Sequence, residues 1–203
     1  MNATVLLLDA DGVVQEGDPG FRASLEALCP EPAKVGEFVA GVFAAERPCA
    51  TGERDFAEAL GEVLNRWNSP GTLDEALSCW ERVEPSGQVL DFVAELRGAG
   101  TVVALATNQQ NYRARVLREL LAYDDHFDAL LISCELGFVK PTAGFFGAAC
   151  ARLGIDRADA LFVDDAMPNV LGAREAGLAA EHDHLSEGVG RLRALWAQHA
   201  VPR

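Results

Sequence analysis

The chain has 203 residues, about half of them apolar, which is enough for one large domain or for a domain carrying a small insert. Its formal net charge of −14 argues against nucleic acid, an anionic membrane or heparin as a main partner. A phosphorylated small molecule stays open, because local charge at a site can oppose the global sign. The five cysteines (Cys29, Cys49, Cys79, Cys134 and Cys150) are odd in number and form no CxxC pair, so zinc sites and disulfide frameworks are disfavoured. Together with an N-terminus unlike a signal peptide and no apolar run of membrane-spanning length, they point to reduced thiols in a cytoplasmic protein.

In chain order, the first predicted element is a strand over residues 4–8, whose consecutive apolar residues suit a central parallel strand covered on both faces. It runs into Asp9-Ala10-Asp11-Gly12, which by itself also fits an ordinary Asp-Gly turn. Residues 16–84 carry helical patterns over 21–28, 32–46, 53–67 and 73–83, broken by Gly17-Asp18-Pro19-Gly20, Pro30, Pro48 and Pro70-Gly71, and no convincing strand. Beyond them, strands predicted at 101–106, 129–132 and 160–163, with a weaker one at 178–180, alternate with helical patterns. This alternation predicts an α/β fold: a Rossmann-like three-layer core around a parallel sheet, from residues 1–15 and 85–203, with an α-helical insert from 16–84. The insert leaves after the first strand and so falls over that strand's C-terminal edge.

Polar residues then gather where ligands bind in open α/β sheets, at the C-terminal strand ends. The second long strand ends in Thr107-Asn108, Lys140-Pro141 follows the third, and the fourth ends in Asp164-Asp165. Lys34 and Lys140 are the only lysines, so a lysine in such a place stands out. Each residue type has a task in phosphoryl transfer. A carboxylate can attack phosphorus, and a hydroxyl and an ammonium can hold phosphoryl oxygens. A second carboxylic acid can protonate the leaving oxygen, while a divalent cation offsets the repulsion between anions.

These residues and their order resemble the haloacid dehalogenase-like hydrolases, mostly phosphatases. The resemblance rests on Asp9-Ala10-Asp11-Gly12-Val13-Val14, on 103–106 ending in Thr107-Asn108, on Lys140-Pro141, and on 161–163 ending in Asp164-Asp165. It implies a Mg2+-dependent phosphatase that hydrolyses a small phosphorylated metabolite, a sugar or organic-acid phosphate, through an aspartyl-phosphate intermediate. Asp9 would be the nucleophile and a metal ligand, and Asp11 the general acid/base, touching the metal through its backbone carbonyl. Thr107, Asn108 and Lys140 would bind the phosphoryl group, with Asn108 acting through backbone or amide. Asp165 would complete the metal site, supported by Asp164. Asn169 stands where many relatives carry another acid. The insert would be the family's small helical cap, with residues 17–21 as its hinge. Asp11 favours phosphate-ester hydrolysis over carbon–halogen cleavage, because an alkoxide needs a proton and a halide does not.

A sugar phosphomutase of the same fold, or a protein that binds phosphate without catalysis, uses much the same residues; a response-regulator receiver has them in a different order. The molecule is expected to be a monomer or homodimer. His182-Asp183-His184 reads as a solvated loop rather than a metal pair, Arg47 and Arg54 as a solvated face or ion pairs, and Phe56, Trp67 and Trp80 as packing of the insert. Lys34 reads as exposed. Arg113 follows Thr107 closely enough to reach the site.

Overall fold

A computed structural model describes residues 3–200. Its centre is a five-stranded, all-parallel sheet of β1 (Val5–Leu8), β4 (Val102–Thr107), β5 (Ala129–Ile132), β6 (Ala160–Asp164) and β7 (Ala179–His182) in the order β5-β4-β1-β6-β7. β1 lies in the middle, with Leu8 opposite Leu105 on one side and Val163 on the other. That register brings Asp9, Thr107 and Asp164 to the same edge.

The pleat divides the apolar runs between two faces. Leu6, Leu8, Leu105 and Val163 pack beneath helices α5 (Gly87–Gly98) and α11 (Val189–His199). Leu7, Ala104, Ala106 and Phe162 pack against α9 (Ala143–Leu153) and α10 (Met167–Glu175). The result is the three-layer α/β architecture that strand–helix alternation predicts. Ser86 and Thr142 start two of these helices by accepting the Val89 and Phe145 amides, as N-cap hydroxyls do.

Between β1 and β4 the chain forms α1 (Phe21–Glu26), α2 (Val35–Glu46), α3 (Phe56–Trp67) and α4 (Leu73–Leu77). They surround an apolar cluster that includes Leu25, Phe38, Phe56, Leu60, Val63 and Trp80. Phe56 and Trp80 meet edge to face with centroids 4.7 Å apart, and Trp67 meets Phe38 at 5.7 Å, so these aromatics do pack the insert. Tyr112 and Val116 join the same cluster from the core. They belong to α6 (Asn111–Arg115) and the widened turn, Val116–Leu120, that continues it.

The expectation of no strand in this stretch needs correction. β2 (Gln15–Gly17) and β3 (Val83–Pro85) form an antiparallel ribbon, Gln15 opposite Pro85 and Gly17 opposite Val83, where the chain leaves for the helices and returns. Three residues per strand, one of them the polar run Gln-Glu-Gly, leave no alternation to detect. Further on, α7 (Tyr123–His126) and α8 (Ser133–Leu136) are single turns around β5. All five cysteines are free, and all but Cys134 are buried. Among the described residues, no helix is long and apolar enough to cross a membrane.

Candidate active site

Lys140 is the pivot. It is 4% exposed. Its Nζ lies 2.7 Å from Asp9 Oδ1 and donates to Asp164 Oδ2 at 2.7 Å and to the Ala106 carbonyl at 2.9 Å. All three donor positions of the ammonium are therefore used. The loop carrying it is fixed by Asn108, whose amide donates to the Lys140 carbonyl at 3.0 Å and accepts from the Lys140 N–H at 2.8 Å. The Asn108 side chain thus places Lys140, with its backbone and the second N–H of its amide left over.

Carboxylate oxygens of Asp9, Asp164 and Asp165 lie within 4.8 Å of one another. Asp164 is fully buried. Besides Lys140 it accepts from the Ala166 N–H at 2.8 Å and from the Asn169 amide at 3.0 and 3.1 Å. Asn169 therefore serves as a donor to an acid rather than as another acid. Asp165 is held through its backbone: its carbonyl is 2.7 Å from His182 Nε2, which must carry the proton there. Asp183 is buried beside Arg191 at 2.9 Å. His182 and Asp183 are thus ordered parts of the sheet edge and not a solvated loop. The sequence hides this because β7 ends among charged residues. Gly12 lies under Asp165 at φ +83°, and a Cβ there would stand 2.6 Å from Asp165 Oδ2, so this close approach requires glycine.

Three carboxylates around one ammonium leave an excess of negative charge. Burial pushes the Asp9 carboxyl up to about 7; Lys140 opposes the shift, and Asp164 and Asp11 add to it. Asp165 is raised too, by burial and by Asp164. A set of hard oxygen donors short of positive charge suits a divalent cation of the Mg2+ kind.

Thr107 is buried, and its Oγ1 accepts from Gln109 Nε2 at 3.4 Å. The Asp11 carboxylate is not one of the three clustered groups. Oδ1 accepts from Arg113 Nη2 and Gln15 Nε2, both at 2.8 Å, and Oδ2 accepts from Gln109 Nε2 at 2.7 Å. Gln15 is itself fixed by the Tyr123 hydroxyl at 2.8 Å. A cavity of about 590 Å³ opens beside Asp11, walled by Asn108, Gln109, Gln110 and Arg113 from the core and by Phe21, Phe43, Glu46, Arg47 and Trp80 among others from the insert.

Arg47 thus faces the cavity, whereas Arg54 pairs with Glu62 at 2.8 Å and Lys34 with Glu31 at 2.7 Å on the surface. The glutamines and Glu46 are what sequence reasoning misses. The run Gln109-Gln110-Asn111 directly after a strand end is the only hint of them.

The family model for haloacid dehalogenase-like hydrolases matches residues 3–177. The phosphoserine phosphatase of Thermus thermophilus is 30% identical over 224 residues, covering 87% of this chain and 86% of that one. The phosphoglycolate phosphatase of Caulobacter vibrioides is 25% identical over 189 residues, covering 88% and 78%. In fold, the chain is similar to a HAD family enzyme of Bacteroides thetaiotaomicron solved in complex with magnesium and inorganic phosphate. The TM-score is 0.80 and the identity 21%, over 94% of this chain and 99% of that one.

Proposed function

Because the chain belongs to the haloacid dehalogenase-like hydrolases and is a phosphoric monoester hydrolase among them, we propose that it cleaves a small phosphorylated metabolite by Mg2+-dependent double displacement at Asp9. Residues 16–84 act as the cap over the site. One observation carries the reading: at the C-terminal edge of a parallel sheet, Asp9 shares a buried lysine with Asp164 and lies in a three-carboxylate cluster. Such a cluster is a poor device for stability, since apolar residues of similar volume would hold the fold as well. It is well suited to a charged substrate.

Asp9 and Asp165, with the Asp11 backbone carbonyl, would hold Mg2+, which would offset the negative charge of nucleophile and substrate when bound. Asp9 attacks the phosphorus, and the ester P–O bond breaks with its electron pair going to the leaving oxygen. That oxygen takes a proton from Asp11. A water molecule then attacks the phosphorus of the aspartyl phosphate and gives a proton back to Asp11. The P–O bond to Asp9 breaks, and phosphate and the Asp9 carboxylate are restored. The buried Thr107 hydroxyl donates to a phosphoryl oxygen as charge develops on it, and the Lys140 ammonium steadies Asp9 and offsets the charge of the phosphoryl group beside it.

The test is phosphate release from a panel of sugar, organic-acid, amino-acid and nucleoside phosphates and p-nitrophenyl phosphate, with Mg2+ and with EDTA. Release with Mg2+ and none with EDTA is expected. No turnover of any ester would defeat the reading, and isomerised sugar phosphate in place of free phosphate would make the protein a mutase.

A further inference from the structure

Three consecutive residues of α6 grip the insert. Asn111 accepts the Phe56 N–H at 2.9 Å and donates to Asp55 Oδ2 at 2.5 Å. The Tyr112 hydroxyl bonds Glu81. Arg113 reaches in both directions: Nη1 donates to the Trp80 carbonyl at 3.0 Å, and Nη2 donates to Asp11 Oδ1 at 2.8 Å. Trp80 in turn donates its indole N–H to Glu46 of α2 at 2.9 Å. A continuous chain of contacts thus runs from the Asp11 carboxylate through one guanidinium into the helices of the insert.

Arg113 is 7% exposed, and its own N–H is bonded to Gln110 Oε1 at 2.9 Å, which fixes the start of the helix. A buried guanidinium gains little stability over an apolar side chain of similar volume. The other holders of Asp11, Gln15 and Gln109, are neutral amides that can fix the carboxylate only from the ribbon and from the strand end. Arg113 is the holder that also touches the insert.

We infer that Arg113 is a positioning residue: it sets the orientation of the Asp11 carboxyl toward the leaving oxygen and ties that orientation to the seating of the insert. Its side-chain hydrogen bonds go to Asp11 and to the Trp80 carbonyl, so it acts through Asp11. The inference rests on the proposed phosphatase reading, in which Asp11 passes a proton to the leaving oxygen.

That role makes a prediction a merely structural arginine does not. An alkoxide leaving group needs the proton from Asp11, whereas p-nitrophenolate leaves readily without it. A positioned general acid contributes on the order of 10²–10⁴-fold, so disturbing its orientation should cost part of that, and only for poor leaving groups. The experiment measures kcat/KM, which reports the transfer to Asp9 that precedes the hydrolysis step common to both esters, on an alkyl phosphate cleaved by the wild type and on p-nitrophenyl phosphate, for wild type, Arg113→Met, Arg113→Lys and Asp11→Asn. Expected for Arg113→Met is a loss of roughly 10–100-fold on the alkyl ester and a much smaller loss on the aryl ester. Arg113→Lys should fall between, since one ammonium cannot match the guanidinium's two-sided fork. Adding Arg113→Met to Asp11→Asn should cost little more, because both act through one group. Equal losses on both esters, no loss on either, or full additivity with Asp11→Asn would overturn the inference while leaving the phosphatase reading intact. A wild type inactive on both esters would overturn the two together. If Arg113→Met does not fold, Arg113→Lys carries the same comparison.

Discussion

On the sheet side of the site, Lys140 is buried between two carboxylates, Asp164 is sealed from solvent, and every polar atom of the pair has a fixed partner. On the insert side, the Asp11 side chain is 46% exposed and leans on amides and an arginine around an open cavity. The same chemical group, a carboxylate, is thus placed in two surroundings. Buried Asp9 is pushed toward neutrality unless a cation joins it, whereas half-exposed Asp11 is held by neutral amides and one guanidinium. In the proposed mechanism the difference suits two roles: a nucleophile that depends on positive charge, and an acid/base that depends on orientation.

If the two sides differ in this way, substitutions should separate them. The largest effect on stability is expected at Lys140→Met, which leaves Asp9 and Asp164 buried without their shared cation. Urea unfolding without metal should show a loss of about 3–5 kcal/mol, the usual cost of breaking a buried pair from one end. A loss below about 1 kcal/mol would mean that the sheet side is far better solvated than its burial implies.

A second effect follows from the raised Asp9 carboxyl. Its value rises from 3.8 to about 7 on folding, so the folded chain binds the proton more tightly than the unfolded chain does. This group's contribution to stability is therefore most favourable at low pH and is lost as pH climbs through 7. Mg2+ pairs with the ionised form, so the Tm gain on adding Mg2+ should be larger at pH 8 than at pH 6. A gain independent of pH would remove Asp9 from the metal site.

The smallest effect is expected on the insert side. Gln109→Leu removes one of three donors to a carboxylate that water can still reach, so stability should change by less than about 1 kcal/mol. A loss as large as that of Lys140→Met would erase the contrast between the two sides.

The same contrast explains what the sequence revealed. Asp9, Thr107, Lys140, Asp164 and Asp165 follow apolar strand runs, and a parallel sheet brings such ends together, so their meeting could be anticipated from order and spacing. Among the partners of Asp11, only Arg113 had a marker, its nearness in sequence to Thr107. Gln15 belongs to a three-residue strand too short to show a period, and Arg113 lies on a helix whose other arginines, Arg115 and Arg118, pair on the surface. Which arginine turns inward is decided by the packing of α6 against the insert. His182 was equally hidden, since its task is to hold a backbone carbonyl.

Whether Asp9 is the nucleophile is decided by phosphate release from Asp9→Asn beside the wild type, at saturating Mg2+, on the best ester of the panel, with circular dichroism and Tm recorded for both. If Asp9 attacks the phosphorus, the variant is folded and has essentially no turnover. A folded variant with near-normal activity would contradict it.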